Sequence, residues 1–188
     1  AIYFDGTGDN LYLPDSPDWY FGTGDFTVEC WVNLNSVAAR QDIMAQSVSG
    51  DSTPLWQMVF STSGVLGLAV DFNSSSDTTF VVLHEGTVAN WNIGTWYHVA
   101  LCRNQSSWSI YKDGIMKDSV VQTGDTDDIA AGLYIGRWAY NASNYLNGYL
   151  DEIAIYKGIA KYNPVALPGK ATITPSYLDD PSGNHFTT

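Results

Sequence analysis

The sequence is poor in cysteine, in basic residues and in long apolar runs, and each shortage excludes a class of protein. It has 188 residues with 2 cysteines, and its 8 lysines and arginines face 20 aspartates and glutamates, for a formal net charge of −12. Binding to nucleic acid or docking on an anionic membrane surface requires clustered basic side chains, so the composition argues against both partners. The apolar runs fall short of the ~20 residues that a membrane-spanning helix needs, which argues against membrane insertion. Solubility is the simplest explanation of the acidity.

Helical periodicity is also missing over any useful length, whereas strand-like alternation recurs along the chain. In the segment 96–114, apolar and polar residues alternate in two runs that are joined by a polar turn and closed by Asp113-Gly114. Together with 14% aromatic residues, this alternation predicts an all-β fold, an antiparallel jelly-roll β-sandwich of two sheets. The predicted strands cover 1–4, 10–13, 25–34, 41–47, 55–61, 64–72, 78–83, 95–103, 107–112, 115–121, 131–137 and 145–156. The segment 157–162 is predicted to form a short helical or 3₁₀ turn.

Several motifs resemble those of a known family. The run W-x-H-V-A-L-x-R-N at 96–104, the later D-G pair at 113–114 and the pattern G-Y-L-D-E-I at 148–153 are similar to the laminin-G-like branch of the concanavalin A-like lectin/glucanase superfamily, which includes the pentraxins. The resemblance extends over most of residues 1–165. It implies a single sandwich domain at 1–163, and it invites a function in binding glycans or surface components.

The cysteine positions differ from the pentraxin pattern in a way that matters for disulfide formation. The pentraxin disulfide would place its cysteines at Glu29 and Ala100, whereas this chain has Cys30 and Cys102. Because side chains alternate between the faces of a strand, a displacement by one residue changes the face and a displacement by two does not. Unless a bulge intervenes, the two cysteines therefore point to opposite sides of the sheet and cannot form a bridge. We expect two free thiols, which fits production in a reducing cytoplasm.

Catalytic motifs are not apparent, although the superfamily includes β-glucanases. Those glycosidases need two carboxylates on one face of a strand, in the pattern E-x-D-x-x-E, and this chain has no match. Its nearest pair, Asp151-Glu152, consists of neighbours whose side chains face opposite ways. The three histidines, His84, His98 and His185, lack the spacing of a metal site or a nucleophile elbow. The chain is therefore predicted not to be an enzyme.

Calcium is considered at two places, and no cofactor is predicted to be required. The pentraxin calcium loop corresponds to residues 137–147, which contain no acidic residue, so that ligand-binding calcium is not expected. A structural Ca²⁺ site, of the kind that many lectin-like sandwiches hold where the first and last strands meet, would use Asp5, Asp9 and Asp151. The alternative is that Asp5 and Asp9 form turns and that Asp151 is a buried hydrogen-bond acceptor.

Aromatic and amide residues between the last two strands suggest a ligand-binding surface. Sugars stack on exposed rings while their hydroxyl groups need polar partners. Trp31, Trp96 and Trp108 are predicted to pack within strands or the core. Each of the aromatic residues predicted below to bind a ligand has the same alternative role in packing. The predicted ligand-binding residues are Arg137, Trp138, Tyr140, Asn141, Asn144 and Tyr145 in one loop, with Trp56 and Trp91 from other loops.

The C-terminal segment 164–188 is rich in Pro, Thr and Ser and is predicted to be a linker-like extension. Such segments resemble junctions between modules of bacteriophage structural proteins. This favours a non-enzymatic adhesion module on a virion surface or other extracellular assembly, such as a phage fibre or a capsid decoration. Its partners would be a glycan or cell-surface component and other structural proteins of the assembly. The alternative is a purely structural domain that acts through protein–protein contacts, and a glycoside hydrolase is less favoured.

Overall fold

The computed structural model describes residues 1–46, 56–60, 66–71, 80–84, 91–124, 126, 128, 130–139, 142–162, 178–179 and 185–186; of residues 66–71, 80–84, 178–179 and 185–186 it describes the backbone. The described elements are β1 (Ile2–Asp5), β2 (Leu11–Leu13), a 3₁₀ turn (Pro17–Trp19), β3 (Phe26–Leu34), β4 (Gln41–Gln46), β5 (Trp56–Phe60), β6 (Leu66–Asp71), β7 (Phe80–His84), β8 (Trp96–Asn104), β9 (Ser107–Lys112), β10 (Ile115–Val121), β11 (Leu133–Ile135), β12 (Asn147–Lys157), β13 (Leu178–Asp179) and β14 (His185–Phe186).

Twelve strands form two six-stranded antiparallel sheets, as the alternating sequence predicts. Sheet A has the order β1-β12-β3-β8-β9-β10, and sheet B has the order β2-β11-β4-β5-β6-β7. The two short strands β13 and β14 pair with each other within the C-terminal extension. Within the described part of the chain, no helix has the length and apolar character needed to span a membrane. The jelly-roll sandwich is confirmed.

The core lies between the two sheets and is built from alternate residues of each strand. In β3, Val28, Cys30 and Val32 point into this core, together with Phe26 and Leu34. Phe26 stacks on Phe21 with ring centroids 4.0 Å apart and meets Trp108 edge-on at 5.4 Å. Burying each such side chain contributes roughly 1.5–3 kcal/mol, so the aromatic-rich core is the main source of stability.

The opposite face of β3 is also buried, and at its Thr27 and Glu29 end a further segment covers sheet A from outside. The predicted helical turn at 157–162 is wrong: after β12 the chain makes a turn and two bends. The reason is that its backbone is held by β3, where the Thr27 hydroxyl donates to the Ile159 carbonyl over 2.9 Å and accepts from the Lys161 N–H over 3.0 Å. We call residues 158–162 the cover segment.

Glu29 fastens the cover segment to the sheet. Its carboxylate pairs with the Lys161 ammonium and accepts a 2.9 Å hydrogen bond from the Tyr162 hydroxyl. His98, on the neighbouring strand, lies 3.7 Å away through Nε2, and its buried Nδ1 has no hydrogen-bond partner among the described residues. Burial lowers the pKa of His98 from 6.5 to about 4, although the nearby Glu29 charge opposes the shift. His98 is therefore a buried neutral histidine, in keeping with a structural role.

The two cysteines lie on opposite faces of sheet A, as the parity argument predicts. Cys30 is in the core between the sheets. Cys102 lies with Tyr111 under the cover segment and packs against Tyr162 of that segment. Both are free and buried. Strands β3 and β8 pair without a bulge from Phe26 to Asn33, which is why the alternation holds. Burial raises the pKa of both thiols, which makes them poor nucleophiles in the folded protein.

Most of the basic side chains lie over aromatic rings. Six of the 8 lysines and arginines place their charged group 4.1–5.8 Å from a ring centroid. Such contacts stabilise by roughly 0.5–1 kcal/mol each at exposed sites. The six are Arg40, Arg103, Lys112, Arg137, Lys157 and Lys161.

Candidate functional site

The loop between β11 and β12 crosses the outer face of sheet B and carries most of the predicted ligand-binding residues. It is held by backbone hydrogen bonds from Gly136 to Ile43 over 2.9 Å and from Trp138 to Ser143 over 2.9 Å. Of the predicted set, Arg137, Trp138, Asn144 and Tyr145 are described, whereas Tyr140 and Asn141 lie outside the described residues.

Trp138 is buried, so its predicted exposure is wrong. Its side chain is 7% exposed and packs in a small cluster with Ala45, Ala139 and Tyr134. The Arg40 guanidinium covers its ring at 4.9 Å from the centroid. The small side chain of Ala45 leaves space above the sheet that the indole fills. Trp138 therefore anchors the loop and does not present a free ring to a ligand.

Trp56 and Trp91 are also core residues, which corrects their assignment as ligand contacts. Trp56 is 1% exposed, and its indole N–H donates to the Gln46 side chain over 2.9 Å. Trp91 is 8% exposed and meets Phe60 edge-on at 4.4 Å. Both fill the space between the sheets, because an apolar ring with one polar atom is well suited to a core that offers a single acceptor.

An exposed aromatic pair lies beside the loop on the same face. Tyr12 of β2 is 55% exposed, and its ring lies 4.8 Å from that of Tyr134 on β11. The Arg137 guanidinium stacks on Tyr134 at 4.2 Å, and the buried Arg137 Nε has no hydrogen-bond partner among the described residues. We call Tyr12, Tyr134 and Arg137 the Tyr12 surface. Of these three residues, only Arg137 was predicted from the sequence, because the two tyrosines come together only through the pairing of β2 with β11.

A buried ion pair supports this surface from the side. Arg40 contacts the fully buried Asp42 through Nε and Nη2, each at 3.3 Å, and donates to the Gln57 side chain over 2.8 Å. Burial raises the pKa of Asp42 from 3.8 to about 6, against the opposing effects of Arg40 and a hydrogen bond from Asn144. Asn144 therefore hydrogen-bonds the buried Asp42 carboxylate. Tyr145 is half-buried near the end of the loop. The arrangement is a rigid scaffold for the exposed rings.

A cavity of about 420 Å³ opens between β2, β11 and β12. Its lining side chains are apolar, so it offers no hydroxyl or amide partner to a sugar and is a poor candidate for a carbohydrate site. The lining residues are Leu11, Leu13, Trp19, Leu133, Ile135, Ile153 and Ile155.

The three aspartates proposed for calcium do not come together. Asp5 and Asp9 are close, since the Asp5 N–H donates to the Asp9 carboxylate over 3.2 Å. The pairing of β1 with β12 places Asp5 opposite Asn147, four positions from Asp151 and therefore roughly 13 Å away along the strand. Asp151 instead contacts the amino group of Ala1 at 3.0 Å. Among the described residues, no group of three acidic, histidine or cysteine side chains could hold a metal ion, so the grouping of Asp5, Asp9 and Asp151 is wrong.

The acidic pair Asp151-Glu152 lies in a β-bulge, where the pairing of β12 with β3 shifts register between Asp151 and Ala154. The Glu152 N–H donates to the Asp151 carboxylate over 2.9 Å, and the φ of Glu152 is +47°. A bulge at such a site changes the direction of one side chain and blunts the strand edge. The pair therefore has a structural explanation that requires no catalysis.

Comparison with known proteins agrees with this architecture. The binding module CBM40 of the Ruminococcus gnavus IT-sialidase, solved with bound α2,3-sialyllactose, aligns with a TM-score of 0.65 at 12% identity, over 86% of this chain and 91% of that chain. The SAP-like pentraxin of Limulus polyphemus aligns with a TM-score of 0.58 at 16% identity, over 81% and 73%. Domains LG4-5 of the mouse laminin α1 chain align with a TM-score of 0.60 at 12% identity, over 81% and 40%.

No curated protein sequence matches this chain significantly. At these identities the structural likeness shows the fold alone. The laminin-G-type family model matches residues 5–161, which is most of the chain. The chain belongs to the concanavalin A-like lectin/glucanases superfamily.

Proposed function

We propose that this protein is a non-catalytic carbohydrate-recognition module and that the Tyr12 surface is its binding face. The observation that carries the proposal is the exposed Tyr12 ring against Tyr134, beside an Arg137 guanidinium whose Nε has no partner among the described residues. The rings offer flat faces for the C–H side of a pyranose, and Arg137 offers N–H groups to its hydroxyl oxygens. The buried Arg40–Asp42 pair keeps this face rigid, which lowers the entropic cost of binding.

The structural neighbours support the same class of function without identifying the ligand. The R. gnavus module was solved with a sialylated sugar, and domain 4 of a Geobacillus stearothermophilus arabinanase was solved with arabinotriose. Each is named as one part of a larger protein, an IT-sialidase and an extracellular arabinanase. This chain would work in the same way, as one module of an assembly.

A glycan array probed with the 188-residue chain tests the proposal. We expect hits that Tyr12→Ala and Arg137→Ala each weaken by about 5- to 50-fold, the range for losing one well-packed contact of roughly 1–2.3 kcal/mol. Ile93→Ala, which removes a side chain that is 61% exposed elsewhere, is the matched control and should bind normally. An array without any hits would overturn the proposal and favour the purely structural alternative.

The non-catalytic part of the proposal has its own test. Purified protein should release no reducing sugar from β-glucans, and Asp151→Asn or Glu152→Gln should change stability at most. Turnover that either substitution abolishes would contradict it.

We further propose that the assembly is a bacteriophage fibre or capsid decoration, formed in a reducing cytoplasm and displayed on a virion. Support comes from the linker-like composition of residues 164–188 and from the two buried free thiols. The coding sequences that flank this one are the direct check. Neighbouring fibre or capsid genes are expected, whereas neighbouring genes for secreted polysaccharide-degrading enzymes would overturn the phage context and leave the binding proposal standing.

A further inference from the structure

A second row of aromatic side chains crosses the outer face of sheet A. The strand pairings place Tyr3 of β1, Tyr149 of β12, Asn33 of β3 and Trp96 of β8 in one line. Tyr3 and Tyr149 are 50% and 38% exposed, and their ring centroids are 4.9 Å apart. Trp96 is half-buried and lies 6.4 Å from Tyr149. We call these four residues the tyrosine row.

The row faces away from the core because of strand alternation. Its neighbours in sequence, Phe4, Val32 and Leu150, all point into the core between the sheets. The cover segment packs on the same outer face but at its other end, over Thr27, Glu29 and Cys102. The row is therefore a sheet face on which no described segment lies, and it is on the opposite side of the sandwich from the Tyr12 surface.

Asn33 supplies an observation that points to a ligand. The side chain is 9% exposed, and its Oδ1 is buried and accepts no hydrogen bond from the described residues. A buried amide oxygen without a partner costs roughly 1–3 kcal/mol, and native structures contain few such atoms. Asn33 sits between Tyr149 and Trp96 in the row. Its Oδ1 is buried, so a ligand hydroxyl would reach it only after one of these side chains moves aside.

The chemistry around the row favours a neutral polar ligand. On one side the register places Asp5, Asn147 and Asn35, where the Asn35 amide donates to Asn147 over 3.2 Å. On the other side it places Asp151, opposite Trp31 and then His98. Apart from Trp31 and His98, these flanking positions hold amides and carboxylates and include no lysine or arginine, and the Ala1 amino group is already paired with Asp151. The surroundings therefore favour a neutral ligand over an anionic one. Rings for stacking together with amide and carboxylate groups for hydroxyls are the requirements of a pyranose.

We propose that the tyrosine row is a second carbohydrate site, specific for neutral saccharides and independent of the Tyr12 surface. One sugar face stacks on Tyr3 and Tyr149, and a hydroxyl donates to Asn33 Oδ1. Because the two sites lie on the outer faces of opposite sheets, one domain can hold two glycan chains at once. The proposal goes beyond the proposed function, which assigns a single face.

The test is a titration of the isotope-labelled 188-residue chain with neutral hexasaccharides of β-1,4-linked glucose, xylose and mannose, followed by NMR. We expect at least one probe to shift the Tyr3, Tyr149 and Trp96 ring signals. The double variant Tyr3→Ala/Tyr149→Ala should lose these shifts and bind at least 10-fold more weakly at this face. The matched double variant Tyr12→Ala/Tyr134→Ala, on the other face, should keep them.

Asn33→Leu separates a ligand contact from a structural role. The unpaired Oδ1 contributes no hydrogen bond to folding, so the variant should be as stable as the parent or more stable in chemical denaturation, while its affinity for the same probe falls about 10-fold. A loss of stability with unchanged affinity would show that Asn33 serves the fold and would remove it from the site.

The remaining outcomes each decide one proposal. If no probe shifts the row at millimolar concentration, the second site is wrong, whatever the Tyr12 surface binds. If shifts occur only at the row, the second site stands, and the Tyr12 surface is decided by the glycan array. If sedimentation shows self-association that Tyr3→Ala/Tyr149→Ala abolishes and no sugar shifts the row, the face belongs to a second copy of the chain and the saccharide proposal is overturned.

Discussion

The outer faces of sheets A and B contain similar side chains in opposite arrangements. On sheet A the tyrosines of the row are exposed, while the Glu29 carboxylate and the His98 ring are buried beside the cover segment. On sheet B the indole of Trp138 is buried, and the arginines lie above rings at the surface. The difference follows from where a chain segment crosses each face. A segment that crosses a sheet buries whatever lies beneath it, so residue type alone does not decide which rings can meet a ligand.

The two faces also bury one titratable group each, with opposite consequences. Burial lowers the pKa of His98 under sheet A's cover and raises the pKa of Asp42 on sheet B, because in both cases the neutral form is favoured. The His98 contribution to stability is therefore lost as the pH falls, and the Asp42 contribution is lost as the pH rises. Substitutions on each face in turn test this comparison.

The largest effect is expected from Glu29→Ala on sheet A. It leaves the Tyr162 hydroxyl without its acceptor and Lys161 without its counterion. Breaking a buried ion pair by removing one partner costs about 3–5 kcal/mol, and the partial exposure of Lys161 places the expected loss near the lower end. Chemical denaturation measures it. Glu29→Gln, which keeps an acceptor for Tyr162, should lose less, and equal losses for both variants would contradict this account of the cover segment.

Acid should weaken the sheet A face through His98. Its pKa is 6.5 in the unfolded chain and about 4 in the folded protein, so the folded state resists a proton that the unfolded state accepts. The stabilising contribution is complete above pH 6.5 and is lost as the pH falls through 4, a change of about 3 kcal/mol. His98→Gln should flatten the dependence of the unfolding free energy on pH in this range. A variant with the parent's slope would show that another group controls the acid transition.

Asp42 on sheet B should have the opposite effect on the pH dependence of the unfolding free energy, by a slightly smaller amount. Its pKa rises from 3.8 to about 6 on folding, so its contribution is complete below pH 3.8 and is lost as the pH rises through 6, again about 3 kcal/mol. Asp42→Asn removes this pH-dependent contribution. The unfolding free energy of the variant should therefore rise more steeply with pH than that of the parent. The comparison predicts that the two variants change the slope in opposite directions relative to the parent, and changes in the same direction would refute it.

The smallest of these effects is expected from Trp138→Ala. The indole is buried in a small surface cluster, where solvent can fill the space it leaves, so the loss is near its transfer free energy of about 2 kcal/mol. Thermal unfolding should show a clearly lower Tm. Tyr12→Ala, an exposed neighbour, should stay within about 0.5 kcal/mol of the parent. An unchanged Tm for Trp138→Ala would mean that the ring is free after all and would restore it to the binding surface.

The strands could be predicted because each follows from local alternation, and so could the opposite faces of Cys30 and Cys102. That prediction needed only an uninterrupted ladder between β3 and β8, which the structure contains. The grouping of Asp5, Asp9 and Asp151 needed the register of β1 on β12, and a sequence does not specify register between strands that are almost 150 residues apart.

The exposed rings were missed for a related reason. Trp138 lies in a polar loop and looks exposed in the sequence, but Ala45 on a distant strand leaves room for it. Tyr12 and Tyr149 lie in predicted strands and look like core residues, but no segment of the described chain lies over the ends of their sheet faces. Whether a strand's second face is covered depends on loops whose paths the alternation pattern does not encode.

The basic side chains that lie over rings keep their full charge, because an aromatic ring is neutral, but acidic groups outnumber them and the net charge is −12. The long-range potential of the molecule is therefore negative overall. Two copies should repel each other at low ionic strength and approach more readily once salt shortens the Debye length to about 8–10 Å. Encounter rates with acidic polymers should rise with added salt, whereas those with uncharged polymers should not change.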